Sequence, residues 1–226
     1  MVETSTRVRH KETSRGRQPT ALALHLVRSA HVQSEWSDAE VVAGLRRGEL
    51  RAQRIAWERY APTVYRLSHR ALGSTEDARD ATQDVLACVF AKAAKIEKPE
   101  ALKAFVMSVM IRTLKYELRR RRMRRWLVLS DTGQVPEAVT LAPDYASRQL
   151  LRRFYALLDT LSAPARLVFV LRHIEGLTLE EVAETMALSL ATVKRRLSTA
   201  TERLSALLER EPELARAMGR WGGDHD

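Results

Sequence analysis

One cysteine, nine glycines and seven prolines in 226 residues exclude several kinds of protein at once. Cys88 alone cannot build a disulfide framework. It sits in a helical pattern with Val85, Leu86 and Val89, and a lone thiol of this kind fits a reducing cytoplasm. Scarce glycine and proline beside long Ala/Leu/Arg/Glu-rich runs argue for a chain that is mostly helix. No apolar run approaches the ~18 residues that a membrane span needs, so a soluble chain without membrane insertion is expected. The N-terminus carries charge but no apolar core followed by a small-residue cleavage site, so no secretory signal is expected. His69, His173 and His225 are scattered, with no carboxylate or cysteine at ligand spacing. There is no glycine-rich phosphate cradle. The expectation is therefore no catalytic residue, no cofactor and no metal: a chain that is not an enzyme.

What the chain does carry is positive charge. Its 38 Lys+Arg against 28 Asp+Glu leave a formal net charge of +10. Such an excess points to a polyanionic partner, either nucleic acid or an acidic membrane surface. The length leaves room for one or two domains, each able to bury its own core.

Composition divides the chain into five stretches. Residues 1–35 are polar and basic (Arg7, Arg9, Lys11, Arg15, Arg17) with one apolar patch from Ala21 to Val27, and predict a loose tail with at most a short helix. In residues 36–125, Ser37 and Glu40 form a capping-box signature and helical periodicity follows. Breaks near Gly48, Pro62, Gly73 and Pro99 predict four or five helices in one bundle. Residues 126–147 contain Gly133, Pro136 and Pro143, three acids (Asp131, Glu137, Asp144) and no Lys or Arg, which predicts an extended acidic linker. Helical signal resumes over residues 148–210, with Ser162 before Pro164 marking a helix start and Gly176 a helix end. Residues 211–226 are expected to be a tail. The fold class is all-α: an N-terminal helical bundle and a C-terminal helix-turn-helix, joined by the linker.

The helix-turn-helix lies between Leu177 and Leu208. Thr178 and Glu181 fit a capping box for a short helix from Leu179 to Met186. Leu188 and Ser189 make the turn, with Ser189 as N-cap of a longer helix. Val193, Leu197, Leu204 and Leu208 form the buried seam of that helix. At 100° per residue, Arg195, Ser198, Thr199 and Glu202 share the opposite side, flanked by Lys194 and Arg196. Short polar and basic side chains backed by a buried seam suit a major-groove reader. The plainer alternative is an ordinary surface helix.

Two further segments carry chemistry. From Ala104 to Arg125, one helix face gathers Val106, Met107, Met110, Ile111, Leu114 and Leu118. The other gathers Phe105, Ser108, Arg112, Lys115, Tyr116 and Arg119. Cations interleaved with aromatics can track a phosphate backbone while offering ring faces to unstacked bases. Six of the seven residues from Arg119 to Arg125 are arginine, a cluster that neutralises phosphates without reading sequence. A solvated helix end favoured by the dipole is the alternative for the arginines, and core capping for the two rings. The second segment runs from Ser74 to Ala94. There Asp77, Asp80 and Asp84 share one face, with Gln83 beside them. In so basic a chain that face suits a basic protein surface. Dipole-stabilising acids explain Glu76 and Asp77 but not Asp84, which lies too far into the helix.

Bundle, acidic linker and reader, in that order, resemble a bacterial RNA polymerase sigma factor of the sigma-70 family, extracytoplasmic-function group. Tyr60-Ala-Pro-Thr-Val-Tyr65-Arg-Leu and Glu76-Asp77-Ala-Arg-Asp80-Ala-Thr-Gln83-Asp84-Val are similar to the region-two signature. The run from Leu161 to Thr178, with Glu180-Glu-Val-Ala and Ala191-Thr-Val-Lys-Arg195-Arg, is similar to region four. The resemblance covers roughly Ser37 to Leu208.

The resemblance implies a set of roles. Asp77, Asp80, Gln83 and Asp84 would dock on core RNA polymerase. The helix carrying Phe105, Arg112, Lys115, Tyr116, Arg119 and Arg120 would melt promoter DNA and capture the −10 element, with a flipped base read near Ile96 to Lys103. Arg195, Ser198 and Thr199 would read the −35 element, with Thr192, Lys194 and Arg196 on phosphates. The linker would thread toward the active-site and RNA-exit channels of the polymerase. The protein would be cytoplasmic, nucleoid-associated in the holoenzyme, with an anti-sigma factor as a possible further partner. Arg112 and Tyr116 stand where the family often has Asn and Asp, and Thr199 where it often has a basic residue; these departures bear on which promoter is read. Helix-turn-helix segments of this type also occur in two-component regulators. The alternative is a stand-alone regulator of duplex DNA whose N-terminal bundle senses or dimerises.

Overall fold

The computed structural model describes residues 36–131 and 145–219, and every regular element among them is helical. Helix α1 (Asp38–Arg46) begins with the expected capping box: the Ser37 hydroxyl accepts from the Glu40 N–H, and the Glu40 carboxylate accepts from the Ser37 N–H at 2.6 Å. Helix α2 (Leu50–Leu72) then runs unbroken through Pro62, where the sequence predicts a break. Pro62 is exposed, as is Glu58, whose carbonyl loses its helical donor and can turn to water. Buried Ala61 and Val64 hold the flanking turns in place. The C-cap of α2 is Gly73 at φ +74°, and Ser74 caps α3 (Thr75–Ala91).

Two short 3-10 turns, Ala93–Lys95 and Pro99–Ala101, lead into α4 (Leu102–Asp131). Its 30 residues span about 45 Å. The helix continues through residue 131 and so enters the stretch expected to be linker; residues 132–144 lie outside the described residues, as do 1–35 and 220–226. Helix α5 (Tyr145–Leu158) precedes α6 (Ala163–Phe169), which starts at the predicted Ser162 cap. A π turn, Val170–Ile174, follows, closed by the Glu175 N–H donating to the Val170 carbonyl at 3.0 Å. The helix-turn-helix is α7 (Leu179–Met186) and α8 (Leu190–Leu208). A last helix, α9 (Pro212–Gly219), occupies part of the stretch expected to be a tail, and buried Leu214 anchors it.

The predicted seams are buried. Val106, Met110, Ile111, Leu114 and Leu118 are at most 8% exposed, with Met107 half-buried against them. In α8, Val193 and Leu204 are buried as expected, Leu197 and Leu208 are half-buried, and Ala200 joins the seam. The halves of the described chain do not keep separate cores. Helix α4 packs on α6 and α7, and a single apolar cluster continues from Val85 and Met110 through Leu171, Val182, Met186 and Val193. A second cluster (Phe154, Leu158, Phe169, Leu204, Leu214) joins α5, α6, α8 and α9.

Candidate nucleic-acid and polymerase interfaces

Helix α3 presents its acids as the sequence predicts. Asp80, Gln83 and Asp84 are exposed. With Asp77, Ala81, Glu117 and Arg120 they line one shallow groove. Asp77 differs from its neighbours, because its carboxylate is bonded to the Arg121 guanidinium from α4. Arg120 also belongs to this groove rather than to the face of Arg112 and Lys115: it pairs with the Glu117 carboxylate at 2.7 Å. Glu117 was not legible as part of the groove, since it lies beside Leu118 on an otherwise apolar flank.

The opposite face of α4 carries Arg112 and Arg119 in the open, with Lys115 half-buried between them. The two aromatics part company. Tyr116 is 62% exposed, whereas Phe105 is half-buried and packs on the core. The Tyr116 ring therefore stands in solvent, and Phe105 is largely a core residue. Past this point Arg122 and Arg124 are exposed, while Arg121 turns inward to donate to the Leu72 carbonyl at 2.6 Å.

The reader is assembled by its caps. Thr178 and Glu181 make both bonds of the capping box, and the Ser189 hydroxyl accepts from the Thr192 N–H at 3.3 Å. Between the helices, Ala187 takes the left-handed conformation at φ 51°, a strained choice for a residue with a Cβ. Lys194, Arg195, Ser198 and Thr199 are exposed along α8, and Thr192 and Arg196 are half-buried. The Ser198 hydroxyl donates to Glu202, and that of Thr199 to the Arg195 carbonyl at 3.0 Å. Both hydroxyls can rotate toward a base edge.

Arg196 stands close enough to α4 to act on Lys115. Burial lowers the Lys115 ammonium pKa first, and the charges of Arg196, Arg119 and Arg112 lower it further.

A set of contacts that sequence reasoning missed fastens the second half of the chain to the end of α2. Arg166, 2% exposed, donates from Nε to the Ala71 carbonyl at 2.7 Å and pairs with Asp159. Arg70 pairs with Glu175 at 2.6 Å and donates to the Ile174 carbonyl at 3.0 Å; Arg66 approaches Glu175 at 3.4 Å. The Tyr155 ring lies over Gly73, and its hydroxyl reaches the His69 carbonyl at 3.4 Å. Burial pushes the Tyr155 phenol up, so it remains a protonated donor at neutral pH. These partners are separated by about a hundred residues of chain, and no local pattern announces them. Gly73, legible as a helix-end glycine, was the one signal available. Among the described residues no cluster of His, Cys, Asp or Glu could hold a metal ion, and no helix is long and apolar enough to cross a membrane.

Residues 56–124 match the family described as Sigma-70 region 2, and residues 157–206 match Sigma-70, region 4. The ECF RNA polymerase sigma factor SigE of Mycolicibacterium smegmatis is 31% identical over 147 residues, covering 64% of this chain and 57% of that protein's length. The RNA polymerase sigma-E factor of Streptomyces coelicolor is 31% identical over 172 residues, 74% of this chain and 93% of that protein. The chain belongs to the sigma-70 family, extracytoplasmic-function group. In this sigma factor the acidic groove and the basic face of α4 both fall within the region-2 match, and most of α8 falls within region 4. The solved structure of CnrH in complex with the cytosolic domain of CnrY shares the fold, with a TM-score of 0.51 and 23% identity. That likeness covers 76% of this chain and 97% of the other.

Proposed function

We propose that this sigma factor docks on core RNA polymerase through Asp77, Asp80, Gln83 and Asp84 and directs it to promoters that α4 and α8 contact. Residues 36–125 form the polymerase-binding and −10 half, 148–210 the −35 half, and the acidic stretch between them the linker. Arg112, Lys115 and Arg119 hold the phosphates of the melted −10 strand, while Arg120 is left to its pair with Glu117 and Phe105 to the core. Tyr116 stacks on an unpaired base, a contact worth about 1–3 kcal/mol. Arg195, Ser198 and Thr199 read the −35 duplex, and Thr192, Lys194 and Arg196 hold its backbone. The protein works in the cytoplasm, on the nucleoid when in the holoenzyme, without catalysis of its own. An anti-sigma factor is a further partner that this role accommodates.

The observation that carries the proposal is the segregation of exposed charge in a chain of this family. Asp80 and Asp84 face water on α3, while exposed cations and an exposed tyrosine share α4. A regulator of duplex DNA alone needs neither. The test is co-elution of the full chain with bacterial core RNA polymerase on a sizing column, beside an Asp80→Arg/Asp84→Arg variant. Stoichiometric co-elution lost in the variant supports the assignment. Failure to co-elute, with tight binding of duplex by the chain alone, transfers the case to the stand-alone regulator.

A further inference from the structure

Glu202 is the only acid in α8, and it is exposed on the side that carries Arg195, Ser198 and Thr199. In a helix offered to a polyanion, an acid there repels phosphate and costs affinity. No cation on the helix stands where it could neutralise that charge. The positions three and four residues away are Ser198, Thr199, Ser205 and Ala206. The carboxylate instead accepts a hydrogen bond from the Ser198 hydroxyl.

A serine hydroxyl has one donor and two acceptor sites. Left to rotate, it bonds either kind of base edge and discriminates little. A carboxylate only accepts, and a bond to it is roughly twice as strong as one between neutral groups. The Ser198 proton is therefore held toward Glu202, and lone pairs are what the oxygen has left for a duplex. Thr199 has the same polarity, since its hydroxyl donates to the Arg195 carbonyl at 3.0 Å. In the major groove every base pair shows one exocyclic amine and one keto oxygen: N6 of adenine beside O4 of thymine, or N4 of cytosine beside O6 of guanine. An oxygen limited to accepting bonds the amine and is repelled by the keto group. We infer that Glu202 is a positioning residue for −35 recognition: by holding Ser198 as an acceptor, it makes α8 select an amino base, A or C, over a keto base, G or T, on the strand that Ser198 faces. This rests on the assignment of α8 as the −35 reader. The repulsion of phosphate is then offset by discrimination between sequences.

The test is a binding selection from promoter-length duplexes randomised over the −35 region, read by sequencing. The full chain is used in complex with bacterial core RNA polymerase, and the selection is repeated without core. Ser198→Ala identifies the base pair that Ser198 meets, as the position whose preference it abolishes. There the parent should favour A or C over G or T about tenfold, the scale of one hydrogen bond made or missed. Glu202→Gln keeps the side-chain shape but brings an amide that can donate to Ser198 as well as accept from it. It should narrow that preference to about threefold or less and leave the other positions as they were. A uniform gain in affinity with the preference intact is the effect of lost charge alone, and would overturn the positioning role. A parent preference for G or T at that position would do the same. If Glu202→Gln relaxes a different base pair, or still acts in the Ser198→Ala chain, Glu202 touches DNA itself and the role falls. If Ser198→Ala changes no position, Ser198 is no reader and the role falls with it; Arg195→Ala then shows whether α8 reads the duplex at all. Should no sequence be enriched with or without core, the assignment of α8 fails first and takes the role of Glu202 with it.

Discussion

On α3, Asp80 and Asp84 stand in water with no ion pair among the described residues, whereas Asp159 and Glu175 at the α2 seam are each taken up by arginine. The residue type is the same and the consequence differs. An exposed carboxylate contributes little to folding, since surface pairs are worth about 0–1 kcal/mol, and it remains available to a partner. A carboxylate held in a buried pair is committed to the fold, because removing its partner leaves an uncompensated charge at about 3–5 kcal/mol. Exposure and pairing therefore separate acids left free for a partner from acids that fasten the fold.

That contrast can be broken at several points. Arg166→Ala should have the largest effect on stability, a loss of about 3–5 kcal/mol, seen as a lower denaturant midpoint; a loss below 1 kcal/mol would mean that the Asp159 pair is not integral. Gly73→Ala comes next. It places a Cβ at positive φ, at about 1–2 kcal/mol, and drives it into the Tyr155 ring, at about 1–3 kcal/mol more. Tyr155→Ala in the same chain should return the second part, a coupling that a double-mutant cycle measures. Ala187→Gly should go the other way, stabilising by about 0.5–1 kcal/mol as relief of left-handed strain exceeds the entropy of the added glycine. Thermal unfolding of the two chains side by side decides it.

Asp80→Arg/Asp84→Arg should sit within about 0.5 kcal/mol of the parent in the same assay while abolishing polymerase binding. A large loss of stability there would move those acids into the fastening class. The smallest effect is on pH dependence. Burial first, and the Arg70 charge second, lower the pKa of His69 from its ordinary 6.5. The unfolded chain then binds the proton before the folded one does. Stability is full above pH 6.5 and declines as pH falls toward the lower folded value. His69→Gln should flatten the denaturant midpoint across that window.

Much of this was legible in the sequence. Ser37 with Glu40, Thr178 with Glu181, Ser162 and Ser189 all cap the helices they were expected to cap, because a cap is a bond between residues three apart. The α4 seam and the exposed faces of α3 and α8 follow from helical period in the same way. Pro62 misled because a proline's effect depends on which side of the helix it occupies, and here that side is solvent. Helix α9 escaped notice because Leu214 acquires its meaning only against α5 and α8. The Arg166–Asp159–Ala71 and Arg66–Arg70–Glu175 contacts depend on how α2 and α6 approach in space, and nothing in residues 66–73 or 159–175 encodes that approach locally.

The π turn at Val170–Ile174 fits one extra residue into the end of α6. An α-helix advances about 100° per residue, so deleting a single position there would rotate everything downstream by more than a quarter revolution. Glu175 would swing away from Arg70, and α7 would leave the apolar face of α4. The turn thus acts as a phase shifter: a one-residue change in its length, with no change of side-chain chemistry elsewhere, would re-aim the entire reader.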